Sequence, residues 1–142
     1  MAVLSATRVR VRSYRYYPWF MVQTARIALQ ARQAAGNLAV RFLRDRRKTF
    51  WTLTSWQSEA DLQRFLGSGV HRSALHRLHD WCDEAASVRW ADADPEPPSW
   101  EDAHARLQRD GTPTRVMFPS AEQEKFEVRP PWVSFANQMR IK

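Results

Sequence analysis

The sequence predicts an α+β fold built on one antiparallel sheet, and three features of its 142 residues predict it. Strand-like and helix-like segments follow one another in the order β-α-β-β-α-(α)-β. "TRVRVRSY" (7–14) alternates strictly, with Val9, Val11 and Ser13 on one face and Arg8, Arg10 and Arg12 on the other, as a half-buried strand does. "LAVRFLR" (38–44) and "TFWTLTSW" (49–56) instead carry large apolar residues on both faces, which a sheet covered on both sides explains.

The elements follow in order. After the first strand, Pro18 suits the entry to a helix. Gln23, Arg26, Gln30 and Gln33 form its narrow polar stripe, so a broad face should be buried, and Gly36-Asn37 stops it. "DRRK" is a polar turn between the second strand and the third, which is rich in β-branched and aromatic residues. Ser58 caps the next helix, with Asp61 three residues on. Gly67-Ser68-Gly69 breaks that helix, and another runs from about 70 to 85. "SVRWAD" (87–92) is a fourth strand and "DPEPPS" (94–99) a proline-rich linker. "WEDAHARLQRDG" is a short helix between the cap Ser99 and the stop Gly111. The remainder, with "RPPW", reads as an extended tail. Residues 1–93 thus form the domain and residues 94–142 an extension that is not a domain of its own. This order is the split βαβ, ferredoxin-like arrangement. Its helices cover one sheet face, and the other needs a cover too, which a second copy of the chain could supply.

Composition narrows the function. At this length, with 44% hydrophobic and 12% aromatic residues, one folded domain is expected. No apolar run approaches a membrane span, and "MAVLSATRVR" lacks the apolar core of a secretion signal, so a cytoplasmic protein is expected. Cys82 is the sole cysteine, which excludes an intrachain disulfide and a cysteine-rich zinc site. The net charge of +7 is almost all arginine; Lys48, Lys125 and Lys142 are the lysines. Such charge suits nucleic acid, acidic ligands or ion pairing, and does not choose among them.

"GVHRSALHRLHDWCDEA" (69–85) carries three histidines. Each helical residue advances about 100° round the axis. With Val70 at zero, Ala74, Leu75, Leu78, Trp81, Cys82 and Ala85 fall within an arc of about 140°, and His71 lies inside it. His76 and His79 fall on the wet side with Arg72, Asp80 and Asp83. The three rings therefore cannot converge on one metal ion, and no metal site is expected. His71 points at whatever the helix packs against, as a core histidine bonded to a backbone carbonyl, a pocket base or a haem axial ligand. Cys82 reads as an inert small hydrophobe.

Gly36, Phe50-Trp51-Thr52-Leu53-Thr54, Trp56, Ser58-Glu59, Leu62, Phe65, Ser68-Gly69 and His71-Arg72 together form a familiar pattern. It resembles the antibiotic biosynthesis monooxygenase superfamily, closest to a bacterial branch described as a domain of unknown function. The resemblance covers roughly residues 7 to 91. It implies a homodimeric α/β barrel, two four-stranded sheets packed face to face, with a pocket in each subunit between sheet and helices. Relatives use that pocket to oxygenate aromatic polyketides without a cofactor, to bind or break down haem, or for no assigned chemistry.

Cofactor-free oxygenation needs a dry apolar pocket, one base, and donors for a developing enolate oxygen. His71 is the candidate base or proton shuttle. Trp51 or Trp56 would stack on a flat substrate and offer an indole N–H. Tyr16 or Tyr17 would donate to an oxyanion, and Arg41 would stabilise a phenolate. Phe20 and Leu75 complete the apolar lining. Packing roles compete with each of these: core or dimer-face tryptophans, an aromatic staple of tyrosines, an ion-paired Arg41. The expected function is a monooxygenase-like enzyme, in secondary metabolism, acting on a hydrophobic aromatic or polyketide-type molecule without metal or flavin. Alternatives are a haem protein with His71 as axial ligand and a non-catalytic dimeric small-molecule binder. RNA-recognition modules share the strand order, but "KTFWTLTSW" lacks the glycines of their signature, so nucleic acid is not the expected partner.

Overall fold

In the computed structural model, residues 1–142 are described apart from the Val70 side chain, which the helical arc above took as its origin and which lies outside the described residues. The elements are β1 (Ala2–Val11), α1 (Tyr17–Gln33), β2 (Asn37–Arg44), β3 (Thr49–Trp56), α2 (Glu59–Leu66), α3 (Gly69–Trp81), β4 (Cys82–Asp92), α4 (Trp100–Asp110), β5 (Thr112–Pro113), α5 (Ala121–Lys125) and β6 (Gln138–Arg140). One sheet has the order β5-β4-β1-β3-β2-β6 with every pairing antiparallel. The four long strands thus take the ferredoxin-like order read from the sequence.

Local chemistry sets most boundaries. Ser58 Oγ accepts from the Asp61 N–H at 3.2 Å, and Ser99 Oγ from the Asp102 N–H at 3.1 Å, so both expected caps form. Gly36 adopts φ +83°, the left-handed conformation that lets the chain leave α1 and enter β2. Three elements move their bounds, among them the fourth strand, which starts at Cys82 and not at residue 87. The first strand starts at Ala2 and ends at Val11 instead of spanning 7–14. The helix expected to reach residue 85 stops at Trp81, because residues from Cys82 on pair with β1: Val11 faces Cys82 and Arg10 faces Glu84. Cys82 therefore begins a strand and does not lie on the helical arc. Burial, with the neighbouring Asp83 charge, pushes its thiol up to about 12, which keeps it inert. The tail is not purely extended, since it forms α5 and the edge strands β5 and β6.

Helix α1 departs from its expected broad burial. Ala28 and Ala31 are its buried residues, while Trp19, Val22 and Leu29 are 64%, 52% and 54% exposed. It rests on the sheet along one face, and among the described residues nothing packs on the other.

Both sheet faces are covered within the chain. Val9, Val40, Phe42, Phe50 and Trp56 pack under α1, α2 and α3. On the opposite face Ala6, Leu43, Trp51, Leu53, Ala86 and Val88 pack against Trp100, Ala103 and Leu107 of α4 and Val128 of the tail. The cover that a second copy could supply is provided on this face by α4 and the tail of the same chain. The face through which a sheet-to-sheet barrel would meet its partner lies under α4.

The arginine face of β1 is corrected as well. Arg8 is only 5% exposed, because β4 sets Glu84 beside it: Arg8 donates to Glu84 at 2.7 Å, and Arg10 pairs with Glu84 at 3.2 Å and Asp83 at 3.1 Å. Burial alone would raise the Glu84 carboxyl. Hydrogen bonds from Arg8 and Ser120 and the charges of Arg8 and Arg10 overcome this and hold it below its ordinary value.

Two substitutions test this frame by urea denaturation. Leu107→Ala, at a site with no exposure, should lower unfolding stability by roughly 2–5 kcal/mol if α4 covers the sheet. Glu84→Gln, which leaves a buried guanidinium without its counter-charge, should cost about 3–5 kcal/mol.

Candidate functional site

A cavity of about 150 Å³ lies between the sheet and helices α1–α3. Its floor is made by strand alternation. Ser5 faces Thr54 and Thr7 faces Thr52 across the β1–β3 ladder, and these four hydroxyl-bearing residues line the cavity. Phe20 and Ile27 of α1, Leu62 and Phe65 of α2, and Leu75 and Leu78 of α3 form its walls, and Trp56 closes one end. Leu75 is 45% exposed, so the cavity reaches the surface beside α3. A space of about 150 Å³ admits a ring the size of benzene.

Two nitrogen atoms stand out among the apolar walls. His71 Nδ1 and Trp56 Nε1 are both buried with no hydrogen-bond partner, the kind of orphan that a native fold rarely tolerates without a purpose. Phe65 lies between them, with ring centroids 5.1 Å from Trp56 and 5.5 Å, edge-on, from His71. Burial lowers the His71 pKa from 6.5, and the nearby Leu66 backbone offsets part of that. The imidazole is therefore neutral near pH 7 and able to accept a proton.

Of the residues singled out in the sequence, His71, Trp56, Phe20 and Leu75 meet at this cavity. The other four do not, and each departure has a cause. Trp51 is one residue out of phase with Trp56's face, lies under α4, and donates its Nε1–H to Asp45 at 2.9 Å. Arg41 faces Leu53 in the register and pairs with Glu96 of the linker. Tyr16 stacks on Trp81 at 5.6 Å, its hydroxyl accepting from Arg12 at 2.9 Å. Tyr17 packs on Phe50 at 5.4 Å. His76 is exposed and His79 reaches Asp80. His104 Nε2 meets the Val128 carbonyl at 2.7 Å and ties the tail to α4.

The hydroxyl floor was missed in the sequence. Its signal is the alternation within "TFWTLTSW", where Thr52 and Thr54 share the face of Phe50 and Trp56. A porphyrin does not fit. It spans several benzene-sized rings, whereas the cavity admits about one, and Arg77 is the one arginine lining it for propionates. Among the described residues no three His, Cys, Asp or Glu side chains gather to hold a metal ion, and no helix is long and apolar enough to cross a membrane.

Comparison with known proteins agrees with this architecture. Residues 20–126 match a family described as "Domain of unknown function (DUF3291)". No curated protein matches the chain. Among solved structures, Rv0793 from Mycobacterium tuberculosis is similar with TM-score 0.60 and 12% identity, over 66% of this chain and 97% of that one. A mutant of SnoaB, a cofactor-independent oxygenase from Streptomyces nogalater, has TM-score 0.53 and 17% identity, over 66% and 94%. A structure described as an antibiotic biosynthesis monooxygenase has TM-score 0.58 and 10% identity, over 65% and 99%. These likenesses establish the antibiotic biosynthesis monooxygenase-like fold. Nearly all of each neighbour is matched, while about a third of this chain is not.

His71 generates a pH prediction. Its folded-state pKa lies below 6.5, so as pH falls through that range the unfolded chain takes up a proton that the folded chain refuses. Stability is full above 6.5 and declines as pH falls toward the lowered value. Denaturation at stepped pH should show this decline in the wild type and lose this component in His71→Gln.

Proposed function

The chain belongs to the family of the domain of unknown function DUF3291, matched over residues 20–126, and from that membership, its fold and its cavity we propose a monooxygenase-like enzyme that oxygenates a small aromatic phenol without metal or flavin. The observation that carries the reading is the pair of unpartnered buried nitrogens, His71 Nδ1 and Trp56 Nε1, on residues lining an otherwise apolar cavity. One is a base and the other a donor.

The chemistry asks for these parts. Neutral His71 takes the proton of a phenolic hydroxyl. The resulting phenolate is electron-rich at a ring carbon. Trp56 Nε1–H and the hydroxyls of Thr52 and Thr54 stabilise its oxygen by hydrogen bonds that strengthen as charge develops. The anion passes an electron to dioxygen, and the two radicals join to form a C–O bond. The peroxide, formed at a ring carbon that bears a hydrogen, takes up the proton held by the imidazolium; that carbon then gives up its own proton as the O–O bond breaks, so one oxygen atom stays on the carbon as a carbonyl and the other leaves as water. The substrate supplies all the electrons, and the imidazole returns its proton to the departing oxygen. Apolar walls from Phe20, Phe65 and Leu75 exclude bulk water from the reactive anion. A cavity of about 150 Å³ favours one aromatic ring over a fused polyketide.

SnoaB, as described, is a cofactor-independent oxygenase, and that shared fold supports the reading. Oxygen-electrode assays with dihydroxybenzenes test it. Uptake above the uncatalysed rate is expected, with His71→Gln slowing turnover by about 10²–10⁴-fold. Arene binding, followed by tryptophan fluorescence, should survive in that variant. Binding without uptake in the wild type would leave a small-molecule binder in place of an enzyme, and no arene binding at all would overturn the reading.

A further inference from the structure

A second cavity, of about 480 Å³, lies on the other side of the sheet, where the tail folds back over the turn between β2 and β3. Five arginines line it: Arg8 and Arg10 from β1, Arg46 and Arg47 from the turn, and Arg129 from the tail. Three of these have carboxylate partners outside the lining. Arg8 and Arg10 pair with Glu84 and Asp83, and Arg129 pairs with Glu122 at 2.9 Å.

Asp45 is the carboxylate in the lining, and its oxygens are committed elsewhere. They accept from Trp51 Nε1 at 2.9 Å, the Trp132 N–H at 3.0 Å and the Arg46 N–H at 2.7 Å. Among the described residues Arg46 and Arg47 make no ion pair. The Arg46 guanidinium is held 4.3 Å from the centre of the Trp132 ring, which fixes its plane. Arg8 Nε and Arg10 Nε are buried with no acceptor. These are charged donors left over after the protein's own carboxylates are used. The turn also holds Arg47 and Lys48 at φ 58° each, a conformation that costs non-glycine residues energy and that persists where the surroundings impose it.

We propose that this arginine-lined cavity binds the phosphate group of a small molecule. Guanidinium groups from three segments present planar pairs of N–H donors, the geometry that suits phosphate oxygens. A tetrahedral anion can accept from several directions at once, as donors on β1, the turn and the tail require. The proposal is independent of the chemistry assigned to the helix-side cavity, which lies on the opposite sheet face.

The test uses the intact chain labelled with ¹⁵N. Inorganic phosphate should shift the Nε–H resonances of Arg8 and Arg10, while chloride at equal ionic strength should not. The double variant Arg46→Gln/Arg47→Gln, at two exposed positions, should weaken phosphate binding about tenfold. Arg129→Gln provides a second readout should the turn variant fold poorly. Glycerol phosphate binding tighter than inorganic phosphate would identify a phosphorylated small molecule as the ligand. Equal binding would identify free phosphate. Resonances that respond to neither phosphate, or that respond alike in wild type and both variants, would overturn the proposal.

Discussion

The central sheet is apolar on both of its faces, and everything else in the structure answers that constraint. Strand β3 shows it most sharply. Phe50 and Trp56 point one way, Trp51 and Leu53 the other, and all four are buried. Burying a large side chain is worth about 1.5–3 kcal/mol relative to leaving it exposed, so neither face can stay wet. Helices α1–α3 answer for one face and α4 with the tail for the other. Under α4 the sheet is covered by interlocking Trp51, Trp100 and Leu107, whereas the helix face keeps a space between hydroxyl floor and apolar walls.

Buried charge enters this frame paired. Arg8 is carried into the α4 face because strand β4 brings Glu84, the register partner of Arg10, within 2.7 Å of it, and Ser120, the cap of α5, donates its hydroxyl to the same carboxylate at 2.8 Å. A buried ion pair adds little net stability against an apolar alternative, but it strongly penalises any arrangement that separates the charges. It therefore fixes the β1–β4 register and the position of the tail together. On the other face His71 Nδ1 and Trp56 Nε1 are buried without a partner.

Much of this was legible in the sequence, and the reasons are local. Ser58 and Ser99 cap their helices as short-range rules require, and "TFWTLTSW" declares a strand by its composition. His71 was placed correctly because helical periodicity alone separates it from His76 and His79. What was not legible depended on contacts distant in the chain. The alternating arginines of β1 look solvent-facing until Glu84, 76 residues away, is set beside Arg8. Alternation already puts Trp51 and Trp56 on opposite faces, but which of the two faces lies under α1–α3 is set by the fold. Arg41 looks catalytic until the linker brings Glu96 to it. Tyr16 and Tyr17 have the right chemistry but pack beside Trp81 and Phe50.

The cover over the Trp51 face is joined to the sheet by peptide bonds, through a linker that begins just after β4. Docking of a tethered segment is an intramolecular event, governed by the local concentration that the linker imposes and indifferent to how much protein is present. A face covered by a separate chain is exposed again on dilution, since its occupancy follows mass action. This sheet cannot lose its α4 layer in that way, so its cover is as complete in a very dilute solution as in a concentrated one.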